Sequence, residues 1–183
     1  MCTDKLLIWQ QNINKLPTCQ HTLLSNSVLT KHEINIIVIQ EPAMNGFSQS
    51  IASKNWISVY PSTHCMHPGK SRTLMLVSTT ISTDSWEQLD FPSGDVTAIV
   101  IKGEWGKITI FNIYNDGNNN KTINLLKLFH RTRPNITNQA KVGVAHILWL
   151  GDFNQHHPHW DNPNNTRLFT EGALKQQKYS LKW

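Results

Sequence analysis

Residues 146–161 read H-I-L-W-L-G-D-F-N-Q-H-H-P-H-W-D. Ile147, Leu148, Trp149 and Leu150 make a short continuous apolar run, the kind carried by a central strand buried on both faces. Gly151, Asp152, Phe153 and Asn154 follow at its carboxyl end, which is where open α/β sheets place their sites. A carboxylate there can orient or deprotonate a water, and a carboxamide two residues on can bond a substrate oxygen without adding a second negative charge. Gly, Asp and Asn are also ordinary turn residues, so a plain turn is the competing reading and the rest of the chain must decide.

The other apolar runs end in the same way. Residues 5–9 predict a strand leading into the polar cluster Gln10, Gln11, Asn12, Ile13, Asn14. Pro17 and Thr18 then mark a helix start, with apolar spacing up to Lys31. Residues 34–39 predict a buried β-branched strand closing on Gln40, Glu41 and Pro42. After an irregular stretch, short strands are expected at 56–60, 74–77, 86–91 and 96–101. Residues 107–114 alternate Ile108, Ile110 and Asn112 against Thr109, Phe111 and Ile113, and run into Tyr114, Asn115 and Asp116. Residues 122–133 predict a helix with Leu125, Leu126 and Phe129 on one face, stopped by Pro134, and 165–177 a further helical segment weakened by Gly172. Strands in this number with few helices predict an α/β fold of stacked sheets with helices outside.

At 183 residues the chain is sized for one domain with a real core. Its 17 Lys and Arg against 12 Asp and Glu give a net charge of +5, compatible with a polyanionic partner. Lys121, Lys127, Arg131, Arg133 and Lys141 fall in one stretch without an acidic residue, either a solvated helix face or a phosphate contact. Cys2, Cys19 and Cys65 show no paired spacing, so neither a disulfide framework nor a cysteine zinc site is indicated. The expectation is an intracellular chain without a signal sequence, membrane span or obligate protein partner.

The ordered series Gln11-Asn12-Ile13-Asn14, Ile39-Gln40-Glu41-Pro42, Asn112-Ile113-Tyr114-Asn115 and Leu150-Gly151-Asp152-Phe153-Asn154 resembles the endonuclease/exonuclease/phosphatase superfamily. Within it, the chain is most similar to the apurinic-endonuclease-like domain of LINE-type retrotransposons, because His156-His157-Pro158-His159-Trp160 continues the G-D-F-N motif. The resemblance implies a four-layer α/β sandwich, two packed β-sheets flanked by helices, with one site at the strand ends. It implies Mg²⁺, with Mn²⁺ as substitute, held by Glu41 with Asn12 and Asn14. It implies that Asp152 positions or deprotonates the attacking water, that Asn154 and Tyr114 contact the phosphate, and that Asn115, His156 and His157 bind substrate. DNA is the implied partner, the product a nicked strand with a 3′ hydroxyl, and the nucleus the implied location.

That family closes on a late Ser-Asp-His motif, and this sequence contains no Asp-His dipeptide. The expectation is therefore an incomplete domain over 1–172 with a divergent tail over 173–183, weak or inactive in catalysis, with exposed apolar surface where closing strands are wanting. Two other readings stand beside it, a catalytically dead nucleic-acid-binding relic and a phosphatase of small phosphorylated molecules. Single residues have plain readings too: Glu41 as a turn carboxylate, Tyr114 as a core aromatic with a wet tip, Asn14 as an exposed turn residue. His156, His157, His159 and Asp161 can be read as a zinc cluster or, as we favour, a loop shaping the DNA-facing rim.

Overall fold

A computed structural model describes residues 5–25, 33–51, 53–103, 106–133, 145–154 and 164. Among the described residues, eight strands and two α-helices follow in the order β1 (Ile8–Asn12), α1 (Pro17–Ser25), β2 (Ile36–Gln40), β3 (Trp56–Val59), β4 (Thr73–Ser78), β5 (Trp86–Leu89), β6 (Val96–Gly103), β7 (Gly106–Tyr114), α2 (Lys121–Thr132) and β8 (Ala145–Asp152). They build two four-stranded sheets, ordered β1-β2-β4-β3 and β5-β6-β7-β8. β1 runs parallel to β2 and β7 parallel to β8, while the remaining pairs are antiparallel.

The period-two alternation of each strand sorts side chains into three apolar layers. Ile37, Ile39, Leu74 and Leu76 point outward and bury Leu23 of α1. Their strand neighbours Ile36, Val38, Met75 and Val77 point inward, against Ile99, Ile101 and Ile110 of the second sheet. Val96, Ala98, Phe111 and Ile113 face the other way, onto Leu126 and Phe129 of α2. The result is helix, sheet, sheet, helix, the four-layer sandwich expected from the sequence. The alternation read in β7 also holds, with Ile110 and Phe111 buried on opposite faces.

At one end of the inter-sheet layer the apolar core gives way to buried amides and hydroxyls. Asn112, Gln40 and Thr73 are fully buried. Gln40 Nε2 donates to Asn112 Oδ1 at 2.7 Å, and Asn112 Nδ2 donates to the carbonyls of Ile39 and Leu74 at 2.8 and 2.9 Å. Gln10 Nε2 extends the chain to Gln40 Oε1 at 2.6 Å, and the hydroxyls of Thr73 and Thr97 meet at 2.8 Å. Every polar atom in these contacts has a partner, which is the condition under which buried amides fix a structure rather than weaken it.

Two strand readings need correction. β1 continues through Gln10, Gln11 and Asn12 instead of ending at Trp9, because the parallel ladder with β2 carries those polar residues as regular partners of Val38, Ile39 and Gln40. Residues 147–150 do not lie in a strand buried on both faces. Among the described residues β8 pairs with β7 alone, and Ile147 and Leu148 are 37% and 36% exposed. An apolar run shows that a strand is half-buried or better, but not whether it has one neighbour or two. The helix expected to reach Lys31 is described to Ser25, and the helical segment read at 165–177 lies outside the described residues.

Candidate functional site

The polar end of the core opens onto the carboxyl ends of β1, β2, β7 and β8, and all four motifs arrive there. In the first sheet, the ladder sets Asn12 opposite Gln40, so Glu41 leaves β2 beside the end of β1. In the second, it sets Tyr114 opposite Asp152. The two halves join where Asn12 Nδ2 donates to Asp152 Oδ2 at 2.7 Å.

Local geometry holds each group. Gly151 belongs to β8 rather than to a turn: it pairs with Ile113, and a Cβ there would stand 1.9 Å from the Ile113 carbonyl oxygen. Only glycine lets the strand deliver Asp152 from so close to its neighbour. The Asp152 Oδ1 accepts the Asn154 backbone N–H at 2.9 Å, so both carboxylate oxygens are held by donors while lone pairs remain for a water. Asn154 Nδ2 donates to the Asn115 carbonyl at 2.7 Å, and Asn115 Nδ2 returns to the Phe153 carbonyl at 2.9 Å. Asn115 is itself 1% exposed. It fastens the motif loop to β7, and its Oδ1 is buried without a hydrogen-bond partner among the described residues.

Backbone strain concentrates here. Of six non-glycine residues with positive φ among the described residues, Asn14, Lys15, Glu41 and Asn154 lie in this cluster, at 48°, 57°, 48° and 45°. For Glu41 the conformation is especially costly, since a residue before proline favours extended backbone. It is secured by the Glu41 N–H donating to the Arg72 carbonyl and the Lys15 N–H to the Glu41 carbonyl, both at 2.8 Å. Asn14 is exposed, and its backbone N–H donates to Asn12 Oδ1 at 2.8 Å. The structure thus uses the main chain of Asn14 to set Asn12.

Tyr114 lies beside these groups, under Arg72, a partner that no motif in the sequence singles out. The Arg72 guanidinium carbon stands 4.6 Å over the Tyr114 ring centre. Its fork grips Asp95 through Nε and Nη2 at 2.6 and 2.8 Å, and Nη1 reaches Asp116 at 3.3 Å. Thr122 of α2 adds a donor to Asp95 at 3.0 Å. The bonds to Asp95 keep Arg72 firmly charged, and the Asn118 backbone N–H, with help from Arg72, holds Asp116 below the usual carboxylate range. Burial, joined by the negative charges of Glu41 and Asp152, pushes the Tyr114 hydroxyl up, while Arg72 and a hydrogen bond with the Asn154 side chain pull it back. The hydroxyl stays protonated at neutral pH and can donate a hydrogen bond.

Oxygen donors suited to a hard cation are the Glu41 carboxylate, whose side chain is 16% exposed, and Asn12 Oδ1. Among the described residues no group of three or more His, Cys, Asp or Glu can hold a metal. One carboxylate with an amide oxygen is the sparse set a hydrated Mg²⁺ uses, and falls short of a zinc cage. His156, His157, His159 and Asp161 lie outside the described residues, as does Lys141. No helix among the described residues is long and apolar enough to cross a membrane.

No protein-family model matches the sequence, and no curated protein sequence matches it significantly. Solved structures do. The endonuclease domain of TRAS1, a telomere-specific non-LTR retrotransposon, aligns at a TM-score of 0.59 and 15% identity, over 94% of this chain and 70% of that one. AP endonuclease LMAP from Leishmania major aligns at 0.53 and 14%, over 80% of this chain and 54% of that one. A humanized D. rerio TDP2 aligns at 0.51 and 13%, over 85% of this chain and 65% of that one. This chain therefore spans between about half and seven-tenths of the structures it matches. With two packed sheets between helices and its polar strand ends gathered on one side, the chain has the endonuclease/exonuclease/phosphatase fold.

Proposed function

We propose that the chain is a divalent-metal-dependent phosphodiesterase of retrotransposon-endonuclease type that nicks DNA to leave a 3′ hydroxyl. The observation that carries this reading is the 2.7 Å contact between Asn12 and Asp152, which unites motifs from both sheets into one polar cleft. In that cleft Asp152, held from two sides, orients a water for attack on phosphorus. Tyr114 donates its hydroxyl to a non-bridging oxygen, and Asn154, tied to Asn115, helps hold the phosphate. Glu41 and Asn12, with Asn14 behind them, would hold Mg²⁺ or Mn²⁺, which supplies charge neutralisation at the phosphate and the departing oxygen. His156 and His157, outside the described residues, keep the substrate-binding part that the sequence resemblance implies for them.

A DNA-holding relic is the second reading, favoured by the exposure of Lys121, Arg131 and Arg133 on and beside α2. These cations are strung along the helix, about 15 Å separating Lys121 from Arg131 at 1.5 Å rise per residue, and can follow a phosphate backbone. Nicking of supercoiled plasmid by the full chain in Mg²⁺ or Mn²⁺, beside Glu41→Ala, Asp152→Ala and an EDTA control, separates the two. The proposed activity requires metal-dependent nicking that both substitutions remove. Retarded but intact plasmid from a folded protein supports the relic instead.

A further inference from the structure

The most exposed large apolar side chain among the described residues is Phe47, at 86%. It does not sit on a loose strand of chain. Asn45 Oδ1 accepts the backbone N–H groups of Phe47 and Gln49 at 2.9 and 3.0 Å, the Asn45 N–H donates to the Gln49 carbonyl at 2.8 Å, and the Ser48 N–H donates to the Asn45 carbonyl at 2.9 Å. Ser48 takes a φ of 58° to close the turn.

The base of the loop is fastened as well. Gln20 of α1 is fully buried, and its carboxamide bridges the two stems. Oε1 accepts the Ala43 N–H at 2.9 Å, and Nε2 donates to the Ser50 hydroxyl. The Ser50 N–H donates to the Tyr60 hydroxyl at 2.8 Å, and the Tyr60 ring stacks on His64 with centroids 4.2 Å apart. A buried glutamine, a ring pair and a side-chain-bonded turn thus serve to present one phenyl group to solvent. Such a pre-ordered aromatic gives up little entropy on contact, which is the property of a binding anchor.

The surroundings indicate what it contacts. The near stem begins two residues after Glu41, so the loop borders the cleft. From Pro42 to Thr83 the sequence has no acidic residue, and within that stretch the exposed Lys70 leads into β4 at the site end of the sheet, where Thr73 pairs with Gln40. A flat apolar face beside a cleft, with an exposed lysine at the same end of the sheet and no acidic residue in the loop itself, suits a ligand with a ring and a phosphate on each unit. We propose that Phe47 stacks on an unpaired base of the DNA strand whose phosphate occupies the cleft. This rests on the nuclease reading above and names the part of the substrate that the loop grips.

The test is binding of fluorescein-labelled single-stranded oligothymidylate by the full chain in EDTA, where no cleavage intervenes, with Phe47→Ala, Phe47→Leu and Phe47→Trp. Stacking on a base is worth enough that Phe47→Ala and Phe47→Leu are expected to weaken binding about five- to a hundredfold, while Phe47→Trp retains it. Melting temperatures of all three stay at the wild-type value, because the phenyl group is in solvent. Equal binding by wild type and Phe47→Ala overturns the stacking role and leaves the nuclease reading standing. Equal binding by Phe47→Leu and Phe47→Trp overturns it too, since any apolar contact would then serve. Loss of binding only to phosphatidylcholine/phosphatidylserine vesicles assigns the loop to a membrane and overturns it. A wild-type chain that binds neither this oligonucleotide nor plasmid overturns the nuclease reading and the inference together.

Discussion

Asn12 and Asp152, 140 positions apart in the chain, are joined by a 2.7 Å hydrogen bond that spans the two sheets. The bond turns the amide nitrogen of Asn12 toward the carboxylate and leaves its oxygen for the Asn14 N–H and for a cation. Asn12→Ala is expected to cost about 1.5 kcal/mol of stability, the value of a bond to a charged group, and to slow nicking by about one to two orders of magnitude. Asn12→Asp places two carboxylates together. It is expected to destabilise more than alanine at pH 7 and to regain stability as the pH falls toward 5, because one of the pair then takes up a proton. Urea unfolding at the two pH values checks this, and a variant insensitive to pH contradicts it.

Arg72 closes a cluster in which Asp95, with a side chain only 12% exposed, depends on the guanidinium fork. Arg72→Met strands that carboxylate with Thr122 as its remaining side-chain donor, and is expected to cost about 3 kcal/mol. Arg72→Lys keeps the charge but not the two-pronged grip or the broad contact over Tyr114, and should recover less than half of the loss. Chemical denaturation of the three proteins side by side decides the matter.

His130 packs between Trp149 and Phe111, with ring centroids 5.2 and 5.5 Å away, and its Nε2 is buried without a hydrogen-bond partner among the described residues. Burial lowers its pKa from the ordinary 6.5. The unfolded chain therefore takes up a proton at higher pH than the folded one, so stability is full above about 6.5 and declines as the pH falls below it. Burial acts on His64 in the same direction. His130→Phe is expected to gain about 1 kcal/mol at pH 7 by removing the unpaired nitrogen, and to lose less than wild type between pH 7 and 5. Thermal melts across that range test both statements.

Gly151 passes so close to Ile113 that an alanine Cβ would fall 1.9 Å from the Ile113 carbonyl oxygen. Gly151→Ala must push the two parallel strands apart, at a cost of about 3 kcal/mol or more, and carries Asp152 away from Asn12 as it does so. Loss of both the unfolding midpoint and nicking is expected. A variant with wild-type stability would show that the strands separate freely.

How much of this was legible in the sequence varies by residue. Alternation in Ile108, Ile110 and Asn112 against Phe111 and Ile113 gave the faces of β7, because strand periodicity is local. The site end was legible for the same reason, each apolar run closing on Asn12, Glu41, Tyr114 or Asp152. Arg72 was not, since its partners Asp95 and Asp116 lie 23 and 44 residues away and nothing in the irregular stretch before β4 points to them. Gln20 was hidden within a helical pattern, and the Gln40–Asn112 pair across 72 residues. For these, the run of polar residues inside otherwise apolar strands was the available signal, and it names no partner. Asn14 was legible as an exposed turn residue, but the left-handed backbone of Glu41 was not, because a residue before proline argues against it.

The amide pair of Gln40 and Asn112, with the hydroxyl pair of Thr73 and Thr97, also limits how the domain can be recombined. Apolar residues between the sheets tolerate exchange for others of similar volume, so that end of the interface accepts drift. The polar end does not, because a donor on one sheet must find its acceptor on the other. A chimera joining the first sheet of this chain to the second sheet of a distant relative should fold only when both members of each pair are transferred together.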